Sequence, residues 1–149
     1  MALIPARGRK GMAGLVTLAV LGALALLGAI LWRLWSVREG RRRAVAALAA
    51  ECPGLDDRLE GRDTTLLFSA SEEMVGLASH RLMKLLPFSV IQKWRAEPFY
   101  NSADRRVGWN FIIETADTAE PIWTIRIRSG GGNEVPNFWM AKFNAYLNG

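Results

Sequence analysis

Met12 to Leu31 reads MAGLVTLAVLGALALLGAIL, 20 residues without a charged side chain. About 20 apolar residues cross a hydrocarbon core of ~30 Å as a helix. A lone strand would leave its backbone groups unpaired in lipid, so helix is the form this stretch can take there. Trp32 and Trp35 follow where an interfacial aromatic belt belongs, and Lys10-Gly11 mark the other edge. A cleaved secretory signal fits less well. The run exceeds the usual ~7–15 apolar residues, and Arg33 with two Trp stands where a small-residue cleavage site would be. The stretch therefore predicts an uncleaved transmembrane helix over 12–35, after a basic tail over 1–11. Ala19/Ala23 and Ala25/Ala29 have small-xxx-small spacing, which lets a second helix approach closely.

Outward from this segment, the charge is unevenly placed. The 149 residues carry a formal net charge of +5. Residues 1–43 hold eight basic side chains against Glu39, a net +7, whereas residues 44–149 hold 11 basic and 13 acidic ones, a net −2. A nucleic-acid-binding domain carries its basic patch on its folded surface. Here the excess flanks the apolar run, where lipid phosphates attract it, so no nucleic-acid partner is expected. Trp32, Arg33, Trp35, Arg38, Arg41, Arg42 and Arg43 are the candidate membrane-interface residues, with anionic headgroups as their ligands. The C-side flank has five Arg and one Glu; the N-side has three basic residues and the amino terminus. The positive-inside rule then favours a cytoplasmic C-terminal domain. A short basic tail retained inside would reverse this and give a trans-side domain.

Residues 36–53 form an Arg-rich connector. AVAALAA, residues 44–50, is strongly helix-forming, and Pro53-Gly54 stops the helix. Cys52 is the sole cysteine, so it has no intrachain disulfide partner. A structural role is expected for it; juxtamembrane palmitoylation is the alternative.

Residues 54–149 are long enough for one small core. Leu55–Asp63 is polar and turn-like. Thr64–Phe68 has strand composition. Ser71–Leu86 is ambiguous. Ser69 with Glu72 suggests a capping box, and Met74, Ala78, Leu82 and Leu85 recur at helical spacing. Met74–Ala78 and Leu82–Phe88 equally fit two strands, and Gly76 costs a helix ~1 kcal/mol. Val90–Ala96 alternates in part and runs to Pro98. Asn101–Arg106 is a turn, and Val107–Ile113 a strand with Trp109, Phe111 and Ile113 on one face. Ile122–Arg128 alternates cleanly, with Trp123, Ile125 and Ile127 inward and Thr124, Arg126 and Arg128 outward. Ser129–Gly132 breaks it. Pro136–Leu147 is a short amphipathic helix whose Trp139 and Phe143 face the core, as are Trp94, Trp109 and Trp123. The fold class is α+β: a single N-terminal transmembrane helix, then a small antiparallel β-barrel or curved sheet with a C-terminal capping helix.

The succession LLFSASEEMVGLAS, LLPFSVIQKW, VGWNFIIET, PIWTIRIRS and FWMAKFNAYL, over residues 64–147, resembles small bacterial membrane-tethered pleckstrin-homology-like domains. The resemblance implies a partly open barrel with a closing helix, and a binding or scaffolding role. The basic loop through which some eukaryotic relatives bind phosphoinositides has no clear counterpart; Arg105-Arg106 is the nearest basic pair in a loop.

The residues of catalysis are sparse. His80, the sole imidazole, sits in a turn. Asp56, Asp57, Glu60 and Asp63 lack EF-hand spacing and read as a solvated acidic loop. Gly130–Gly132 precedes a helix without a Walker-type Lys-Ser/Thr and reads as a linker. An enzyme would have to rely on carboxylates such as Asp104 or Glu114. No catalytic, metal or cofactor residues are assigned. The expectation is a non-catalytic, single-pass interaction or scaffold module, an accessory subunit of a bacterial inner-membrane complex. Another membrane protein is its expected partner, met through Arg105, Arg106, Arg126 and Arg128. The alternative is a periplasmic-facing subunit of an envelope secretion or conjugation assembly.

Overall fold

A computed structural model describes residues 9–128 and 132–148. The first residues of the basic tail and Ser129–Gly131 of the expected linker lie outside the described residues. The chain divides into two compact units, residues 1–38 and 39–149.

Helix α1 spans Arg9–Glu51, 43 residues, or about 65 Å at 1.5 Å per residue. In the first unit its run from Gly14 to Trp32 is apolar on every side, and its large side chains are exposed. Leu15 is 70% exposed, Leu18 69% and Leu26 68%. Trp32 and Trp35 are also exposed, with ring centroids 5.5 Å apart. The helix is long and apolar enough to cross a membrane.

The second unit contains the last part of α1 and two antiparallel sheets. Sheet A has the order β1 (Asp57–Glu60), β2 (Thr64–Ser69), β3 (Met74–Ser79), β4 (Met83–Pro87). A 3-10 turn, Phe88–Val90, leads to sheet B: β5 (Ile91–Tyr100), β6 (Arg106–Thr115), β7 (Ile122–Ile127). Helix α2, Glu134–Leu147, closes the chain. The architecture is α+β with two separate antiparallel sheets, and among the described residues no hydrogen bonding closes them into the expected barrel. Gly61 and Arg62 bring them together at one place, where Arg62 N–H donates to the Arg126 carbonyl at 2.8 Å.

The ambiguous stretch is a hairpin, β3–β4. The Ser69/Glu72 signal is real capping, but of a turn: Ser69 Oγ accepts from the Glu72 N–H at 3.1 Å, and Glu73 turns the chain with φ 52°. Ser79 does the same between β3 and β4, its Oγ accepting from the Leu82 N–H at 3.0 Å. Side chains that accept from nearby backbone donors serve turns as well as helix starts. The turn-like Leu55–Asp63 stretch contains β1, which sequence reasoning missed. Its residues DRLE have weak strand propensity. Pairing with β2, register Leu59↔Leu66, and the burial of Leu59 hold it in place.

β2 is buried along its whole length because it separates two cores. On one face, Leu66 and Phe68 join Val75, Leu77, Phe111, Ile113, Ile125 and the α2 residues Trp139 and Phe143. Phe68 sits 5.4 Å from Phe143 and 5.0 Å from Phe88, centroid to centroid. On the other face, Leu67 and Ala78 pack against Val45, Leu48 and Cys52 from the end of α1, and against Leu55. The expected connector therefore belongs in part to the folded unit, which begins at Glu39. Cys52 is buried there. Gly76 makes this second core possible. A Cβ on it would sit 3.2 Å from Leu67 Cβ and 3.3 Å from Leu55 Cδ1.

Candidate functional site

Strand β7 alternates as the sequence indicates: Trp123, Ile125 and Ile127 are buried, and Thr124 and Arg126 are exposed. Arg126 is held in place. Its Nε donates to Asn110 Oδ1 at 3.3 Å, on the paired β6 residue, and its guanidinium lies 5.0 Å from the Phe99 ring centroid. Next to it a cleft of about 380 Å³ is lined by Glu60, Arg62, Arg126, Ile127 and Arg128. Arg62 comes from the β1–β2 turn, and sequence reasoning did not single it out. The turn reaches β7 because residue 61 is glycine. A Cβ there would lie 2.7 Å from Ile125 Cγ2 and from the Thr64 carbonyl.

Arg41 secures the same turn from the α1 side. Its guanidinium donates to the Gly61 carbonyl at 2.9 Å and to the Arg62 carbonyl at 2.7 Å. Of the expected membrane-interface arginines, Arg41 is thus occupied by the folded domain. Arg42 is exposed, and Arg43 pairs with Glu39 at 3.3 Å. Arg33 and Arg38 are exposed on the first unit.

Of the four candidate partner-binding residues, the structure brings Arg126 and Arg128 together in the cleft. Arg105 is exposed in the β5–β6 turn, where its N–H caps onto Asn101 Oδ1 at 3.0 Å. Arg106 opens β6 with its guanidinium 5.1 Å from the Trp109 ring centroid. Trp109 is half-buried rather than core, and its Nε1 donates to the Gly132 carbonyl at 3.3 Å. Trp123 is core, as expected.

A second concavity, about 320 Å³, lies between β5 and α2 and is lined by Gln92, Lys93, Trp94, Arg95, Met140, Asn144 and Asn148. β5 is an edge strand of sheet B. Trp94 is half-buried at this groove and ties the strand to the helix, its Nε1 donating to Asn144 Oδ1 at 2.8 Å. Arg95 is held by Glu97 at 2.6 Å and by Glu114. Hydrogen bonds to these two carboxylates raise its pKa above the ordinary guanidinium value.

Three further ion pairs serve the fold. Lys84 on β4 pairs with Asp117 in the β6–β7 turn, which joins the two sheets. Lys84, with the Ala119 N–H, holds the Asp117 carboxyl below its usual range. Lys142 on α2 pairs with Asp57 on β1, and Arg58 with Glu60. His80 is exposed in the β3–β4 turn. Among the described residues, no group of His, Cys, Asp and Glu is placed to hold a metal ion. No family model, no curated protein and no solved structure matches the chain.

Proposed function

We propose that this chain is a single-pass membrane-anchored, non-catalytic interaction module, an accessory subunit of a bacterial inner-membrane complex with its C-terminal domain in the cytoplasm. The observation that carries the reading is the first unit's helix. Apolar surface on all sides, more than half exposed at nearly every large residue from Leu15 to Trp35, is stable where lipid covers it. Arg33 and Arg38 follow the apolar run as interfacial anchors do. Four strands, three strands and a closing helix, in that order, support the likeness to pleckstrin-homology-like domains and with it a binding role. The open edge of β5, beside its groove with α2, is the surface we assign to a protein partner. An edge strand offers unpaired backbone donors and acceptors to an added strand.

The test is fractionation of cells expressing the chain with a C-terminal reporter. The expected result is a chain of the full 16.5 kDa plus reporter. It resists alkaline carbonate, enters detergent and shows cytoplasmic-type reporter activity. A shortened, soluble product would identify a cleaved signal and refute the anchor. Periplasmic-type activity on an intact, membrane-held chain would refute the topology and leave the trans-side alternative. A photoreactive residue at Gln92 then tests the groove: a discrete cross-linked partner is expected, and none from the same residue at Arg81 on the β3–β4 turn.

A further inference from the structure

We infer that the cleft formed by Arg62, Arg126 and Arg128 is an anion site that takes a phosphate group, either on a lipid headgroup or on a small soluble phosphoester. The inference rests on the second unit alone and not on the membrane reading.

Three guanidinium groups from two separate segments line one cleft of about 380 Å³, and Glu60 is the acid among its lining residues. The Glu60 carboxylate is engaged by Arg58. Arg62 and Arg128 make no ion pair and no side-chain hydrogen bond with another described residue. Elsewhere Lys84 pairs with Asp117, Lys142 with Asp57, and Arg95 with Glu97 and Glu114, whereas Arg42, Arg81, Lys93 and Arg105 pair with no carboxylate among the described residues. What sets the cleft apart is that three arginines meet at one concave place.

The cleft is also preorganised. Arg126 is fixed between Asn110 and the Phe99 ring. The Arg62 backbone is pinned by its N–H to the Arg126 carbonyl and by Arg41 on its own carbonyl. Gly61 permits the close approach, because any Cβ would push the turn off β7. Guanidinium forks match the oxygens of phosphate two at a time, which a single ammonium does not. A cluster whose side chains are already placed spends less ordering entropy on binding.

The experiment uses the full chain in phosphatidylcholine nanodiscs and measures binding of radiolabelled inorganic phosphate by equilibrium dialysis. Saturable binding at one site is expected. R62A and R128A are each expected to weaken it about tenfold or more, the scale of one lost charge-assisted hydrogen bond. R81A should leave it unchanged. Arg62 and Arg128 are exposed, so both variants should keep wild-type tryptophan fluorescence, which separates loss of site from loss of fold. A second arm repeats the titration in nanodiscs that also contain phosphatidic acid. If the lipid suppresses phosphate binding, the headgroup is the source. If binding is unaltered, the ligand is soluble. Either result supports the site. Absence of saturable phosphate binding in phosphatidylcholine, or binding that R62A and R128A do not weaken, overturns it.

Discussion

Replacing Leu48 with alanine tests whether the end of α1 is part of the folded domain or a linker to it. Leu48 is 1% exposed and packs with Val45, Cys52, Leu55, Leu67 and Ala78. Leu→Ala at a buried site costs about 2–5 kcal/mol, the larger values applying where surroundings cannot collapse. Here β2 and β3 form the floor, and each is hydrogen-bonded to strands on both sides. We therefore expect about 3 kcal/mol. The assay is urea unfolding of residues 39–149, followed through the fluorescence of buried Trp123. At about 1–3 kcal/mol per molar urea, the midpoint should fall by about 1 to 3 M. Leu48→Met, which conserves volume, should cost less than about 1.5 kcal/mol. A fragment starting at residue 54 loses Val45, Leu48, Cys52 and the Arg41 hydrogen bonds together, and should be weaker than Leu48→Ala. A Leu48→Ala loss below about 1 kcal/mol, in the range of ordinary surface changes, would refute the reasoning. So would a 54–149 fragment as stable as 39–149.

Three further outcomes follow from individual contacts. Asp117→Asn should lower stability above about pH 4, the unfolded carboxyl range. Because Lys84 holds the folded-state value down, the wild-type advantage is present above the unfolded pKa and is lost as pH falls through the folded one. Melting curves of the two proteins should converge in acid; a constant gap down to the lowest pH would contradict the pair. Gly61→Ala should cost about 1–3 kcal/mol as overpacking, since its Cβ would meet Ile125 and the Thr64 carbonyl; an unchanged urea midpoint would show that the turn does not depend on β7. Arg41→Met removes two charge-assisted hydrogen bonds to turn carbonyls and should cost about 1.5–3 kcal/mol. Faster amide exchange at Gly61 to Thr64 in that variant would locate the loss.

The parts of the fold legible in the sequence are those whose signal is local. The apolar run of α1, the alternation of β7 and the Trp139/Phe143 face of α2 each declare one buried side or none. The stretch from Met74 to Leu86 carried both periods at once, because β3 is buried on both faces and a doubly buried strand does not alternate. β1 was illegible for the opposite reason: its hydrogen bonds to β2 place four mostly polar residues that no local preference would make a strand. The cleft shows the same division. Arg126 and Arg128 stood out on the solvent face of a clear strand. Arg62 lay in a polar turn of no evident direction, and it reaches β7 through the absence of a side chain at Gly61, which sequence shows as a turn residue like any other.

Net charge describes the domain as a whole and not the distribution over its surface. Residues 44–149 sum to −2, which argues against a broad polyanion footprint. A sum, however, is insensitive to pairing. Lys142, Lys84, Arg95 and Arg58 each lie against a carboxylate, and such pairs add little to the field a ligand meets. Exposed acids such as Asp104, in the β5–β6 turn, and Glu134, at the start of α2, lie outside the lining of the cleft. At physiological ionic strength charges are screened over about 8 Å, so an anion in the cleft responds chiefly to its immediate lining. That lining has three arginines and one already engaged glutamate. A domain negative overall can thus hold one positive site, provided the acid in its lining is engaged. In this chain the cleft's acid, Glu60, lies against Arg58, and Asp57, Glu97, Glu114 and Asp117 lie against cations outside the cleft.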